Sequence, residues 1–257
     1  MSELRLFLRG ALLIAHLSFG MLLCLLMKLD VGGWLAPEPL TQFWNRHLLR
    51  ILGLRITHRG QAVSGARMTV ANHVSWLDIP LLAASEPTRF IAKSEIRHWP
   101  IAGWLANAAG TFYIRRGRGG ARPLLERLTP HLKNGGAITL FPEGTTTNGR
   151  QVLGFHARLF AAALEAECWV QPVALRYGRG DDGGEVAPFI GDDDLFSHIL
   201  RVLREPQLQV QVLYCAPIKA VGLDRDELAQ RAHAAVSKAL GLAVSEPEPQ
   251  MEPALAA

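Results

Sequence analysis

The stretch that decides the fold is MTVANHVSWLDIPLLAASEPTRFIA, residues 68–92. It opens with a short apolar run at 68–71 and closes with another at 89–92, each of a length typical of a buried β-strand. Between them, the apolar residues of 77–84 recur at helical spacing. A strand, a helix and a second strand in succession predict a β–α–β unit with parallel strands.

The same alternation continues along the chain. Further apolar runs predict strands at 111–115, 137–141, 169–177 and 208–214. Periodic segments predict helices at 101–108, 121–133, 155–167, 195–204 and 224–240. We therefore predict an α/β fold with a mostly parallel sheet flanked by helices. In such sheets, ligands bind at the loops beyond the carboxyl ends of the strands.

Composition excludes several classes of protein. The chain has 257 residues, of which 49% are hydrophobic and 19% charged, so its apolar content suffices for a large core and excludes disorder for most of its length. The three cysteines, Cys24, Cys168 and Cys215, form no Cys-x-x-Cys pair. We expect reduced thiols, since a disulfide framework or a structural zinc site needs paired ligands. No metal and no bound cofactor are expected.

The N-terminus predicts attachment to a membrane. Residues 10–27 contain no charged side chain, and a helix of that length spans about 27 Å, close to the thickness of a bilayer core. Residues 39–54 form a basic amphipathic pattern with Trp and Phe, which suits a bilayer surface. We expect membrane-anchoring helices over 1–58, an α/β domain over 59–244, and a disordered tail over 245–257.

Charge is concentrated in two segments. Residues 89–127 carry eight Lys/Arg against two Glu, whereas 181–194 carry six acidic residues and no Lys or Arg. The basic segment favours an anionic partner. Nucleic acid is excluded as a partner, because aromatic residues do not alternate with the basic ones and no binding module is recognisable. The match of 178–183 to Gly-x-Gly-x-x-Gly is interpreted as a turn, since two aspartates would face a phosphate.

The first candidate for chemistry follows the strand at 68–71. His73 and Asp78 are five residues apart and would not meet on one helix, but they can meet if His73 lies in the loop and Asp78 in the first helical turn. A carboxylate that orients an imidazole makes a general base for a hydroxyl proton. A structural alternative is a capping box, in which Ser75 caps the helix and Asp78 favours its N-terminus.

Three further segments complete the candidate site. Residues 110–117 predict a strand that runs into a basic, Gly-rich loop, either an anion site at Arg116 or a solvated loop. Residues 141–145, Phe-Pro-Glu-Gly-Thr, end another strand with a tight turn at Gly144. Residues 170–173, Val-Gln-Pro-Val, predict the start of a buried strand.

Taken in order, these segments resemble the four motifs of the glycerolipid acyltransferases, specifically the 1-acyl-glycerol-3-phosphate acyltransferases. Asn72, His73 and Asp78 match Asn-His-x4-Asp, and 110–116 matches Gly-x5-Arg. Residues 141–145 and 170–173 match the third and fourth motifs. One departure is Thr146, where the family often has Arg, and this leaves the identity of the acceptor open.

The resemblance implies a direct acyl transfer. His73, oriented by Asp78, would deprotonate the free hydroxyl of a lysolipid, which then attacks an acyl thioester. No Gly-x-Ser-x-Gly is present, so an acyl-serine intermediate is not indicated. The residues that the resemblance assigns to acceptor binding are Lys93, Arg116, Glu143, Gly144 and Thr145.

The expected reaction makes phosphatidic acid from lysophosphatidic acid, with acyl-CoA or acyl carrier protein as donor. The expected place is the cell inner membrane, with the catalytic domain on the cytoplasmic face. Three alternatives remain open: transfer to another lysolipid such as lyso-ornithine lipid, a thioesterase or lipase in which His73 and Asp78 activate water, and a catalytically silent lipid-binding protein.

Overall fold

The computed structural model describes residues 2–30, 37–114 and 121–243. The helices are α1 (Ser2–Leu29), α2 (Pro37–Ile51), α3 (Asp78–Ser85), α4 (Ala102–Ala108), α5 (Ala121–Lys133), α6 (Ala161–Glu165), α7 (Leu195–Arg204) and α8 (Arg225–Leu240). The strands are β1 (Leu54–Arg59), β2 (Arg67–Ala71), β3 (Arg89–Lys93), β4 (Phe112–Ile114), β5 (Ala137–Leu140), β6 (Trp169–Tyr177), β7 (Leu208–Tyr214) and β8 (Ile218–Lys219). Short 3-10 helices cover Ser94–His98 and Ala157–Phe160.

The strands form one sheet in the order β1-β7-β6-β2-β5-β3-β4, with β8 paired to β6. β2 lies in its middle, parallel to both β5 and β6, and β3 and β4 continue the parallel arrangement. β7 runs antiparallel to β6 but parallel to β1. The predicted α/β class with a mostly parallel sheet is confirmed. The carboxyl ends of β2, β3, β4 and β5 therefore meet at one edge of the sheet.

Apolar side chains cover the sheet on both faces. On one face, residues such as Leu128, Phe160 and Leu228 bring α5, the 3-10 turn at 157–160 and α8 into a single buried cluster. On the other face, Leu49 of α2, Leu81 of α3 and neighbouring residues of α7 form a second cluster. β2 is buried along its whole length. This double cover buries even Thr69 in the middle of the strand, where its hydroxyl donates to the Glu86 carboxylate.

The predicted strands at 169–177 and 208–214 are observed with the same limits. The helix predicted over 155–167 is instead a 3-10 turn followed by the five-residue α6. Two strands were missed: β8, which has two residues, and β1, which lies at the sheet edge with mostly exposed side chains. Because β1 pairs with β7, the boundary expected after residue 58 falls inside a strand of the sheet.

The N-terminal helices pack against the domain. Among the described helices, α1 is the one long and apolar enough to cross a membrane. The guanidinium of Arg9 donates to the backbone carbonyls of Glu205 and Pro206 beyond α7. Near the other end of α1, the thiol of Cys24 contacts the Trp104 carbonyl of α4. α2 packs on α3, where Arg46 donates to the carbonyl of Ala84. The predicted tail at 245–257 lies outside the described residues.

Candidate active site

His73 lies in the loop that joins β2 to α3, at the carboxyl edge of the sheet. The preceding residue, Asn72, fixes this loop, because its side-chain amide donates to the Leu175 carbonyl and its carbonyl accepts from the Leu175 amide, at 3.0 and 2.7 Å. Asn72 is fully buried. Its role in the first motif is therefore to tie the end of β2 to β6 and so to set the position of His73.

The His73 and Asp78 side chains meet as the spacing predicts. His73 Nδ1 lies 2.8 Å from Asp78 Oδ2. The Asp78 side chain is fully buried, whereas 17% of the His73 side chain is exposed. An ionised carboxylate only accepts hydrogen bonds, so Nδ1 carries the hydrogen and Nε2 keeps its lone pair. The imidazole therefore presents a proton acceptor at an accessible position.

Three further donors hold the Asp78 carboxylate in place. Oδ2 also accepts from the backbone amides of Val74 and Ser75, at 2.7 and 2.9 Å. Oδ1 accepts from the Tyr177 hydroxyl at 2.7 Å. With His73, four donors therefore fix the position of this carboxylate. No local sequence pattern predicts the contact with Tyr177, because Tyr177 lies 99 residues along the chain from Asp78, at the end of β6.

Of the two hydrogen bonds in the predicted capping box, the structure contains the one from the Ser75 amide but not the one to the Ser75 hydroxyl. The carboxylate of Asp78 does bond the Ser75 amide, as a capping box requires. The Ser75 hydroxyl, however, caps nothing: it is buried without a hydrogen-bond partner, and Leu77 occupies the position before the helix. The helix begins with Asp78 itself, and the carboxylate that would complete a capping box also holds His73.

Glu143 connects two loops beneath the imidazole. Its Oε1 accepts from the His73 amide at 2.7 Å, and its Oε2 accepts from the Leu153 amide at 2.8 Å. The residue is 4% exposed, and burial raises the pKa of its carboxyl group to about 7. Both oxygens thus face backbone amides of the protein. Phe141, from the same motif, stacks on the His73 ring with centroids 4.0 Å apart.

The turn after Glu143 depends on Gly144. This residue has φ +73°, and a β-carbon built on it would lie 3.3 Å from the His156 ring. Gly144 and Thr145 are both exposed at this edge. His156 precedes the 3-10 turn at 157–160 without capping it through its side chain. The structure therefore places Gly144, Thr145 and His156 together, close to the loop of His73.

The predicted acceptor-binding cations lie farther along the edge. Lys93 is the exposed last residue of β3, which is separated from β2 by β5 and thus by about 10 Å at ordinary strand spacing. β4 ends at Ile114, opposite Lys93. Arg116 lies outside the described residues. The second motif thus leaves the sheet at the same edge as His73, and the contacts of Arg116 stay a prediction.

The loop that precedes α7 packs against the site. The Phe189 amide donates to the Val74 carbonyl at 3.0 Å, and the Thr146 hydroxyl donates to the Phe189 carbonyl. This anchors the acidic segment 181–194 next to the first and third motifs. The turn predicted at 178–183 is confirmed by a bond from the Gly183 amide to the Gly180 carbonyl.

Comparison with known proteins identifies the family. A family model described as Acyltransferase matches residues 55–176. The lyso-ornithine lipid O-acyltransferase of Pseudomonas aeruginosa is 46% identical over 245 residues, which cover 93% of this chain and 95% of that protein. The chain therefore belongs to the acyltransferase family, and it is an acyltransferase of lysolipids, an enzyme of membrane-lipid synthesis.

Two further matches are a second enzyme sequence and a solved structure. The 1-acyl-sn-glycerol-3-phosphate acyltransferase of Neisseria gonorrhoeae is 32% identical over 199 residues, or 75% of this chain and 78% of that protein. The crystal structure of the 1-acyl-sn-glycerophosphate acyltransferase PlsC from Thermotoga maritima superposes with a TM-score of 0.67 at 19% identity. It covers 94% of this chain and 97% of that one, and confirms the fold.

Proposed function

We propose that this chain moves an acyl group from an acyl thioester to the hydroxyl of lyso-ornithine lipid, with His73 as general base. The contact between His73 Nδ1 and Asp78 Oδ2 carries the mechanism. Nε2 takes the proton of the acceptor hydroxyl as its oxygen attacks the thioester carbonyl carbon. The carbon–sulfur bond then breaks, the thiolate leaves with the proton from the imidazolium, and an ester remains.

The roles of the surrounding residues follow from their contacts. Asp78 and Tyr177 orient the imidazole, and Phe141 fixes the plane of its ring. Glu143 is a positioning residue, because both of its carboxylate oxygens bind backbone amides. Gly144 and Thr145 form the exposed rim where the acceptor enters.

Two observations favour ornithine as the acceptor headgroup. The relative with 46% identity carries that activity in its name, as does a Rhodobacter capsulatus protein with 35% identity over 92% of this chain. The second observation is chemical: Thr146 stands where the family often has Arg, and its hydroxyl is bonded to the backbone carbonyl of Phe189. A cation that could bind a phosphate is therefore missing at this position, and an ornithine headgroup, which carries no phosphate, does not need it.

Lysophosphatidic acid is the second candidate acceptor, as the motifs first indicated. Lys93 at the end of β3 and Arg116 in the second motif would hold its phosphate. The donor in either case would be acyl-CoA or acyl carrier protein. Both are anionic and suit the basic segment 89–127.

Membrane attachment through α1 is part of the proposal. Contacts at Arg5 and at Cys24 tie both parts of α1 to the domain, and these residues are about 28 Å apart along the helix. A helix held in this way lies along the domain and enters one leaflet with its exposed apolar face. The enzyme would work at the cytoplasmic face of the inner membrane, where acyl thioesters are made.

The acceptor is tested with purified protein and one labelled acyl thioester. Lyso-ornithine lipid, lysophosphatidic acid and a no-acceptor control are offered in parallel. We expect label in ornithine lipid, with less or none in phosphatidic acid. Label in phosphatidic acid alone would show that the acceptor is lysophosphatidic acid, while the proposed acyl transfer would still hold. Free fatty acid released at the same rate without any acceptor would identify a hydrolase and contradict the proposal.

A further inference from the structure

The segment that joins β3 to β4 exposes three large apolar side chains. Trp99, Ile101 and Trp104 are 45%, 42% and 58% exposed. Within α4, only Gly103 is buried, so this short helix contributes little to the core. These two tryptophans and one isoleucine lie within six residues of one another and face solvent. They form an apolar patch that does not pack against the core of the protein.

The backbone between β3 and β4 is strained in the conformation that exposes these three apolar side chains. Ile101 has φ +61° and ψ −63°, the strained geometry of a γ-turn, which the Ala102 amide closes by donating to the Pro100 carbonyl at 2.6 Å. Gly103 allows the tight turn, because a β-carbon there would lie 2.4 Å from the Arg97 carbonyl oxygen. Strain of this kind persists where the surrounding structure enforces it, often at functional positions.

The patch continues the exposed apolar face of α1. Leu105 of α4 packs against Gly20 of α1, and the Cys24 thiol contacts the Trp104 carbonyl. The same half of α1 exposes further large apolar side chains: Phe19, Leu22, Leu25, Leu26 and Leu29. The two surfaces are therefore neighbours, and whatever covers one lies next to the other.

The surroundings of the patch favour a lipid surface over a protein partner. Lys93 at the end of β3 and Arg97 in the segment are both exposed, as cations that flank an apolar surface on an anionic bilayer. Tryptophan is the side chain enriched at the boundary between headgroups and acyl chains. The segment begins directly after β3, at the edge of the sheet that carries His73.

We propose that Trp99, Ile101 and Trp104 form a second membrane-docking surface, which inserts into the bilayer beside α1 and turns the His73 edge toward the lipid. A lysolipid then reaches the imidazole from the membrane without crossing water. This inference rests on the proposed lysolipid transfer, and it adds a docking element inside the α/β domain, outside the N-terminal helices.

The kinetic test compares two forms of one acceptor. The full chain is reconstituted in phosphatidylcholine–phosphatidylglycerol vesicles, and lyso-ornithine lipid is supplied either within the bilayer or as a short-chain, water-soluble analogue. For Trp99→Ser/Trp104→Ser we expect KM for the bilayer acceptor to rise at least about tenfold, since less apolar surface is buried in lipid. Turnover of the soluble analogue stays within about twofold of the wild type. Val221→Ser, which removes an exposed apolar residue elsewhere, changes neither value.

If the double variant loses activity equally with the bilayer acceptor and with the soluble analogue, the patch serves the fold. If it loses activity with neither acceptor, the patch does not dock on the bilayer. Both results overturn the proposal. A change of oligomeric state with unchanged vesicle kinetics would instead identify a second copy of the chain as the occupant.

A measurement without catalysis separates this inference from the proposed function. Brominated lipids quench tryptophan emission on contact, so Trp99→Phe/Trp104→Phe should remove a large part of the quenching seen with the wild type. The control Trp169→Phe removes a half-buried tryptophan that lies under Lys219, and the fraction quenched should not fall. Unchanged quenching in the double variant would contradict docking, whichever acceptor the enzyme uses.

Discussion

Two buried carboxylates lie at the two ends of α3 and bind different residues near the two ends of β2. α3 begins at Asp78, which binds His73 just beyond the carboxyl end of β2, and is followed by Glu86, which binds Arg67 at the amino end. At the amino end, Arg67 donates from Nε to Glu86 Oε2 at 3.0 Å, and both side chains are at most 10% exposed. At the carboxyl end, Asp78 holds His73, which stays open to solvent.

The two ends differ in the chemistry of the basic residue that each carboxylate binds, which is Arg67 at the amino end and His73 at the carboxyl end. Arginine is always charged, and here its pairing with Glu86 is closed off by burial, so this end of β2 serves stability. Histidine can gain and lose a proton near neutral pH, and Asp78 occupies only one of its two nitrogens. On the proposed mechanism, the two ends of α3 thus supply one structural ion pair and one site for proton transfer.

The largest expected effect is the loss of kcat when Asp78, near the carboxyl end of β2, is replaced. Asp78→Asn removes the charge that orients and stabilises the imidazolium, so we expect kcat to fall by about 10²–10⁴-fold. Steady-state kinetics with the preferred acceptor measure this. A variant that folds and keeps more than about half of the wild-type kcat would contradict the assignment of Asp78.

The matching replacement of Arg67, at the amino end of β2, should lower the free energy of unfolding. Arg67→Met leaves Glu86 charged and buried without its partner, and we expect a loss of about 3–5 kcal/mol in the free energy of unfolding. Denaturant titration in detergent measures it. The control is Arg150→Met, which breaks the exposed pair with Glu185 and should cost less than about 1 kcal/mol. Equal losses in the two variants would refute the contrast between buried and exposed pairs.

Glu143 gives a stability effect that depends on pH. Its pKa is raised to about 7 in the folded protein by burial, so the folded state binds its proton more tightly than the unfolded chain does. The contribution of this group to stability is therefore full below about pH 4.5 and is lost as the pH rises through 7. We expect a loss of about 3 kcal/mol over this range. The difference in unfolding free energy between wild type and Glu143→Gln should follow that curve, and a pH-independent difference would contradict it.

The smallest expected effect comes from Tyr177. Tyr177→Phe removes one of the four donors that hold the Asp78 carboxylate, so this carboxylate and the His73 ring that it orients are held less firmly. The other three donors remain, so the loss of kcat should be smaller than that of Asp78→Asn. At neutral pH we expect a loss of about tenfold.

The control for this change is Tyr214→Phe, a tyrosine on β7 whose pKa burial raises to about 12. A loss of kcat that is equal in the two variants, or absent from both, would show that Tyr177 does not act through Asp78.

The sequence predicted those parts of the molecule that are determined by local pattern. The buried strands and the His73–Asp78 spacing follow from apolar periodicity and from the geometry of a loop that enters a helix. β1 was missed because an edge strand with exposed side chains has no such pattern. Tyr177 and Phe141 were missed as partners of the site, since their contacts depend on how β6 and β5 flank β2.

Glu143 illustrates the same limit. Its motif predicts a place in the acceptor site, which stays a prediction, but the direction of its carboxylate toward two backbone amides depends on the loop at 153, which no local pattern predicts. The cavity of about 250 Å³ lined by Arg67, Arg89 and His131 likewise arises from packing at the amino edge of the sheet, on the side opposite His73.

The central claim is that His73 is the base of a direct acyl transfer. The measurement that tests it most directly is the transfer of labelled acyl groups by His73→Ala, at equal amounts of folded protein, beside the wild type. We predict a loss of about 10²–10⁴-fold in ester formation with unchanged unfolding behaviour. Near-complete retention of transfer by the folded variant would contradict the mechanism.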